Sequence, residues 1–322
     1  MKRWIALGLL GVFLLALVPS FAWAAEEIKY LRIGGASIGG TWLLYAGKLV
    51  QIIGKEFPDI KASALVSGGG AANCIQIDHK KMEFGFTHTV TADIAYKGTY
   101  YAKEKSTNIR HVMSLFPAML HFIASNKTPE IKEFPDLLKK PYRMSVQSKT
   151  LELYTNWAME PFNMSIDELK KKGIKLSYLG IGNVANMMQD GNLDFAVIMD
   201  PYRSGGAMQI DRNPGFHYLP VKIEAFMAAH PGWVKMRVPK ETYESLKEDA
   251  YSIATINSVV CHKDMPADFV YQVLDAVVKN LDILNEVIPE GLKVKPEDMP
   301  VGHSIPLHAG AEKFYRDRGL LK

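Results

Sequence analysis

The residues best placed to do chemistry are glycines. In "YLRIGGASIGGTWLLYAG", residues 30–47, a short β-rich run passes through Gly34-Gly35 and Gly39-Gly40 into Thr41, Trp42 and a helical pattern. A glycine-rich turn from strand to helix suits an anion, because the first turn of the helix has unpaired N–H groups and the positive end of the helix dipole. Spacing excludes two nucleotide motifs. A dinucleotide fingerprint starting at Gly34 or Gly35 would need a glycine where Ala36 or Ser37 stands, and a P-loop running from Gly35 to Gly40 would need a lysine where Thr41 stands. A tight turn that holds no ligand remains the alternative.

The pattern recurs in "ALVSGGGAANCIQIDHKKMEFGFTHT", with Ser67, Gly68, Gly69 and Gly70 ahead of a helix containing Asn73, then a strand ending at His88 and Thr89. Three strand ends carrying small or hydroxyl-bearing residues fit one cleft, since open α/β sheets bind ligands beyond the carboxyl ends of their strands. Metal-site signatures are lacking: the chain has no H-E-x-x-H and no closely spaced Cys/His set. The acidic pairs Glu133/Asp136 and Asp167/Glu168 read as helix-start residues. No metal ligands and no cofactor are expected, and His303 and His308 read as packing or hydrogen-bonding residues.

The elements that must position these residues alternate. Strands are expected near 29–34, 62–66, 84–87, 111–115, 120–124, 143–146, 175–179, 194–199 and 253–261. Helices are expected near 41–54, 71–80, 90–97, 150–160, 183–190 and 266–288. Such alternation predicts α/β layers. Residues 114–125 and 251–262 are apolar and extended in character, and a second lobe between them would make the pair a two-strand hinge.

Composition sets further bounds. Lys2 and Arg3, the apolar run Trp4 to Val18 and the Ala22-Trp23-Ala24 triplet predict a secretory signal peptide, residues 1–24, cut after Ala24. Its removal takes two positive charges from the formal +4, leaving a nearly neutral chain with interspersed charges and no nucleic-acid stripe. Cys74 and Cys261 form no disulfide framework, and the choice between a pair and two buried thiols stays open.

The segments "IGGASIGGTW", "SGGGAAN", "DHKKMEFGFTHTVTADIAYKG", "AHPGWVKMRVPKETYES" and "IPLHAGAEKFYRDRG" together resemble the TAXI-type solute receptors of TRAP transporters. The resemblance implies an α/β, two-lobed type II periplasmic-binding-protein fold with hinge strands. Lobe 1 would comprise residues 25–120 plus 255–322, and lobe 2 residues 121–254. It also implies a periplasmic receptor, not an enzyme, that hands a small organic anion, often a glutamate-like carboxylate, to TRAP membrane permease subunits.

Carried over by motif, the ligand-binding residues are Gly39, Gly40, Thr41 and Trp42; Ser67, Gly68, Gly69 and Asn73; and His88 and Thr89. Across the cleft the family usually has Gly-Ser-Gly-Thr, where this chain reads Gln147-Ser148-Lys149-Thr150. Lys149, an ammonium at a helix start, would meet a carboxylate there or simply be solvated. Trp42 equally suits packing at its helix start, His88 equally suits a core histidine, and Asp200 either meets a ligand amine or caps the next turn. A type II receptor of an ABC importer and, further off, a periplasmic enzyme are the alternative functions.

Overall fold

In the computed structural model, which describes residues 28–100, 102 and 104–321, the glycine-bounded apolar runs become strands and the amphipathic runs after them helices. The expected signal peptide lies outside the described residues. The first half runs β1 (Tyr30–Gly34), α1 (Thr41–Glu56), β2 (Lys61–Leu65), α2 (Gly70–Asp78), β3 (Phe84–His88), α3 (Thr89–Lys97) and the long strand β4 (Ile109–Ser125). Then come β5 (Arg143–Val146), α4 (Lys149–Met159), α5 (Ile166–Lys171), β6 (Lys175–Tyr178), α6 (Ile181–Gln189) and β7 (Phe195–Asp200). They are followed by α7 (Gly205–Arg212), β8 (Phe216–Tyr218), α8 (Ile223–Ala229), β9 (Val234–Val238) and β10 (Ala250–His262). Three helices follow, α9 (Ala267–Lys279), α10 (Leu281–Asn285) and α11 (Ala309–Asp317).

The strands join in the order β2-β1-β3-β10-β4-β7-β5-β6, with β8 on β4 and β9 on β10. β1, β2 and β3 run parallel, as do β5, β6 and β7, while β4 and β10 are antiparallel to each other and to the strands beside them. These two long strands serve both halves of the sheet. Ile109 to Ala118 of β4 pairs with Thr255 to His262 of β10 alongside β3, whereas Met119 to Ala124 pairs with β7. The result is the two-lobed α/β fold with hinge strands. At the crossover the β4–β10 register shifts between Ile256 and Ser258, and Pro117 stands opposite Ile256. A strand proline, which lacks an N–H, is tolerated at such an irregularity.

Both faces of the sheet are covered, and side-chain alternation along single strands sorts the cores. Leu120, Phe122 and Ala124 of β4, with Phe195 and Val197 of β7, pack with α4, α5 and α8; Met119, Ile123, Ala196 and Ile198 pack with α6 and α7 on the other face. In the first half, Leu31, Ile33, Phe84 and Phe86 pack with α1, α9 and α11, while α2 and α3 contribute Cys74, Ile77, Ala92 and Ala95 to the opposite side.

Several expectations need correction. The strands expected at 111–115 and 120–124 are one continuous strand, because the hinge needs no turn between them. The single helix expected over 266–288 breaks at Asn280, whose backbone leaves helical geometry while its side chain binds Glu56 and the Ala276 carbonyl. Cys74 and Cys261 are free, buried thiols, and burial pushes Cys74 up to about 12.

Candidate functional site

The carboxyl ends of strands from both halves face one another across a cavity of about 160 Å³. From the first half, the turn after β1 contributes Gly40, Thr41 and Trp42, the turn after β2 contributes Ser67, Gly68 and Gly69, and β3 ends on His88. From the second half come Gln147, Ser148 and Thr150 after β5 and Asp200 at the end of β7. These eleven of the fifteen residues expected from sequence line the cavity together.

The other four lie elsewhere. Gly39 sits at positive φ beside Gly182, where the halves approach each other. Asn73 is fully buried and its amide donates to the Gly34, Gly35 and Phe86 carbonyls, so it ties the ends of β1 and β3 together. Thr89 exchanges a hydrogen bond with Thr255 of the hinge strand at 3.1 Å. Lys149 turns outward: its ammonium lies 2.6 Å from Glu152 and over the Tyr178 ring, leaving a side chain 69% exposed. Lys149, read from sequence as either a ligand contact or a solvated residue, is thus not among the residues brought together at the cavity. A nearer carboxylate on its own helix, at i+3, takes the ammonium.

The cavity's electrostatics come from the backbone. Gly40, Gly69, His88 and Gly180 are the N-caps of α1, α2, α3 and α6; all four line the cavity, and none caps its helix with a side chain. Each such terminus presents unpaired N–H groups and roughly half a positive charge. By contrast, Ser148 caps α4 through the Leu151 N–H. Among the described residues no lysine or arginine lines the cavity.

Two titratable side chains line the wall. His88 tilts against the Trp42 ring at 4.5 Å, and burial lowers its pKa to about 3, so the imidazole is neutral. Asp200 is 6% exposed, and burial raises its carboxyl to about 7, with Thr41 and Ser204 pulling it back down. Its Oδ2 nonetheless has no hydrogen-bond partner among the described residues. Asp200 does not cap the next helix, since Ser204 does that for α7. His121 fixes Asp200 from behind, with Nε2 3.0 Å from its carbonyl and Nδ1 2.5 Å from the Tyr218 hydroxyl.

Sequence reasoning missed Ala36, Ser37, Gly70, Thr91, Leu151, Gly180, Met199 and Asn257 on the wall. Asn257, a lone amide in the apolar run of β10, carried a signal. It accepts the Trp42 indole N–H at 2.7 Å and donates to the Phe116 carbonyl at 2.8 Å, linking the cavity wall to both hinge strands.

Residues 33–319 match the NMT1-like family. The chain belongs to that family. Among solved structures, this NMT1-like chain is similar to MatC from Rhodopseudomonas palustris with bound malate, at 13% identity and a TM-score of 0.56, covering 92% of this chain and all of that one. A structure titled a periplasmic transporter matches at 14% identity and a TM-score of 0.50, covering 92% of this chain and 95% of that one. The alkanesulfonate-binding protein SsuA from Xanthomonas axonopodis pv. citri, bound to MOPS, matches at 16% identity and a TM-score of 0.49, covering 92% and 96%. At these identities the likeness is one of fold.

The geometry sets two expected results. The raised Asp200 carboxyl costs the empty NMT1-like protein stability as pH rises from about 4, its unfolded value, through about 7, because the folded state binds the proton more tightly. Asp200→Asn should therefore melt higher than the parent at pH 8, by a few kcal/mol at most, since each tenfold difference in proton affinity is worth about 1.4 kcal/mol. The gap should close toward pH 4, and equal melting at pH 8 would contradict it. Lys149→Met removes an exposed pair worth roughly 0.2–1 kcal/mol. It should leave ligand affinity within twofold by calorimetry, and a tenfold loss would put the ammonium back in the site.

Proposed function

We propose that the protein is a periplasmic solute receptor that captures a small organic anion between its lobes and delivers it to a TRAP permease. One observation carries this reading: four helix N-termini without side-chain caps, contributed by both halves, surround a single cavity. Oriented N–H groups bind an anion without a side-chain cation, and enclosure strengthens each charge-assisted bond by removing water. Gly40, Thr41, Trp42, Ser67, Gly68, Gly69, His88, Gln147, Ser148, Thr150 and Asp200 are the proposed ligand-facing set, with Gly39, Asn73 and Thr89 as supports. MatC, which shares the fold, holds malate, and the glycine-cluster and tail motifs resemble TAXI receptors; both support the reading.

Transport assays test it. With the receptor and its permease in vesicles, a sodium gradient and no ATP, uptake of the solute recovered from periplasm-purified protein should require both receptor and gradient. Uptake that requires ATP would replace the TRAP partner with an ABC importer. A chemically altered solute would indicate an enzyme.

A further inference from the structure

The wall of the cavity is polarised. The N-termini of α1, α2 and α3 stand on the first half; the second half adds the N-terminus of α6 and, at the end of β7, the one carboxyl among the lining residues, Asp200. The carboxyl is more than nine-tenths buried and its Oδ2 lacks a partner among the described residues. Among the described residues no lysine or arginine lines the cavity, and His88 is held neutral by burial. A buried carboxyl in this state calls for a hydrogen-bond donor from whatever fills the space.

We infer that the ligand is a small monocarboxylate whose other end presents an N–H or O–H donor to Asp200, and that above neutral pH the cavity disfavours dicarboxylates. The inference rests on the solute-receptor reading and narrows it. Size agrees: an apolar cavity of about 150 Å³ holds benzene, so the cavity of about 160 Å³ takes roughly that many non-hydrogen atoms or a few more. Within such a space a second ligand carboxylate would lie about 5 Å from Asp200. Asp200, whose carboxyl lies near 7, escapes that repulsion only by taking up a proton, which at pH 8 weakens binding about tenfold. A donor in the same place gains a charge-assisted bond instead. An ammonium, as in an α-amino acid, and a hydroxyl, as in a 2-hydroxy acid, both supply it; the chemistry asked of Asp200 is the same.

Calorimetry on the mature protein, stripped of bound solute by unfolding and refolding, separates these cases. The probes are L-alanine and L-serine for the ammonium, L-lactate for the hydroxyl, pyruvate as a monocarboxylate with no donor, and succinate as a dicarboxylate. At pH 8, where Asp200 is ionised in the absence of ligand, alanine and serine, or lactate, should bind at least tenfold more tightly than pyruvate and succinate. Asp200→Asn should cut that preference at least tenfold while relieving the penalty on succinate, and its melting curve reports that the variant is folded. Succinate or pyruvate binding as tightly as the donor-bearing acids, or an unchanged preference in Asp200→Asn, would overturn the inference and leave the receptor reading intact. Binding of none of the five acids would overturn both.

Discussion

Gly180→Ala is expected to weaken binding of the co-purifying solute about ten- to a hundredfold, and Ser37→Gly in the same chain to restore most of the loss. Gly180 caps α6 at φ −64° and ψ 156°, a conformation open to any residue, so a side chain there strains no backbone. The constraint comes from across the cleft. A Cβ at Gly180 would lie 2.7 Å from the Ser37 Cβ and 2.8 Å from its Oγ, closer than packed atoms allow. Overpacking of this kind costs roughly 1–3 kcal/mol, and the cost falls on the closed state, where the loop after β1 meets the start of α6. Melting of the ligand-free protein should accordingly change by less than binding does. Removing the Ser37 side chain clears the same contact from the other side, which makes the pair a double-mutant cycle. Parental affinity in Gly180→Ala would show that the two surfaces need not meet around the ligand.

That contact also marks where sequence reasoning stopped. The glycine clusters at 39–40 and 68–70 announce themselves because only small residues suit tight strand-to-helix turns, and the hinge strands because two long apolar extended runs bracket a segment with its own alternation. Ser37, Gly180, Met199 and Leu151 carry no such mark; they become cavity wall only when one half stands opposite the other. Lys149 misled for a related reason: its position at a helix start was readable, but whether its ammonium turns inward or pairs with Glu152 is decided by side-chain geometry. The short elements β8, β9, α7 and α8 were likewise invisible, since three to eight residues give too little periodicity to separate helix from strand. Asp200 was readable as a polar residue ending an apolar strand, yet its choice between ligand and cap depended on Ser204 taking the cap.

Asn257→Leu should destabilise the protein by about 2–5 kcal/mol, more than any other single change proposed for this cavity. The amide is fully buried at the register shift between the hinge strands and has both ends bonded: Oδ1 to the Trp42 indole and Nδ2 to the Phe116 carbonyl. Leucine has the same branched outline, is bulkier, and leaves an indole N–H and a strand carbonyl without partners, each costing roughly 1–3 kcal/mol when buried. The loss should reach the cavity as well, because Trp42 packs on His88 at 4.5 Å and both rings form its wall. A second substitution separates the hydrogen bond from simple packing. In a Trp42→Phe background the indole donor is already gone, so Asn257→Leu orphans one group instead of two, and its cost should fall by at least about 1 kcal/mol in urea unfolding. Equal costs in the two backgrounds would mean that the Asn257–Trp42 bond contributes nothing, and the link from the hinge to the cavity wall would have to run through backbone pairing alone.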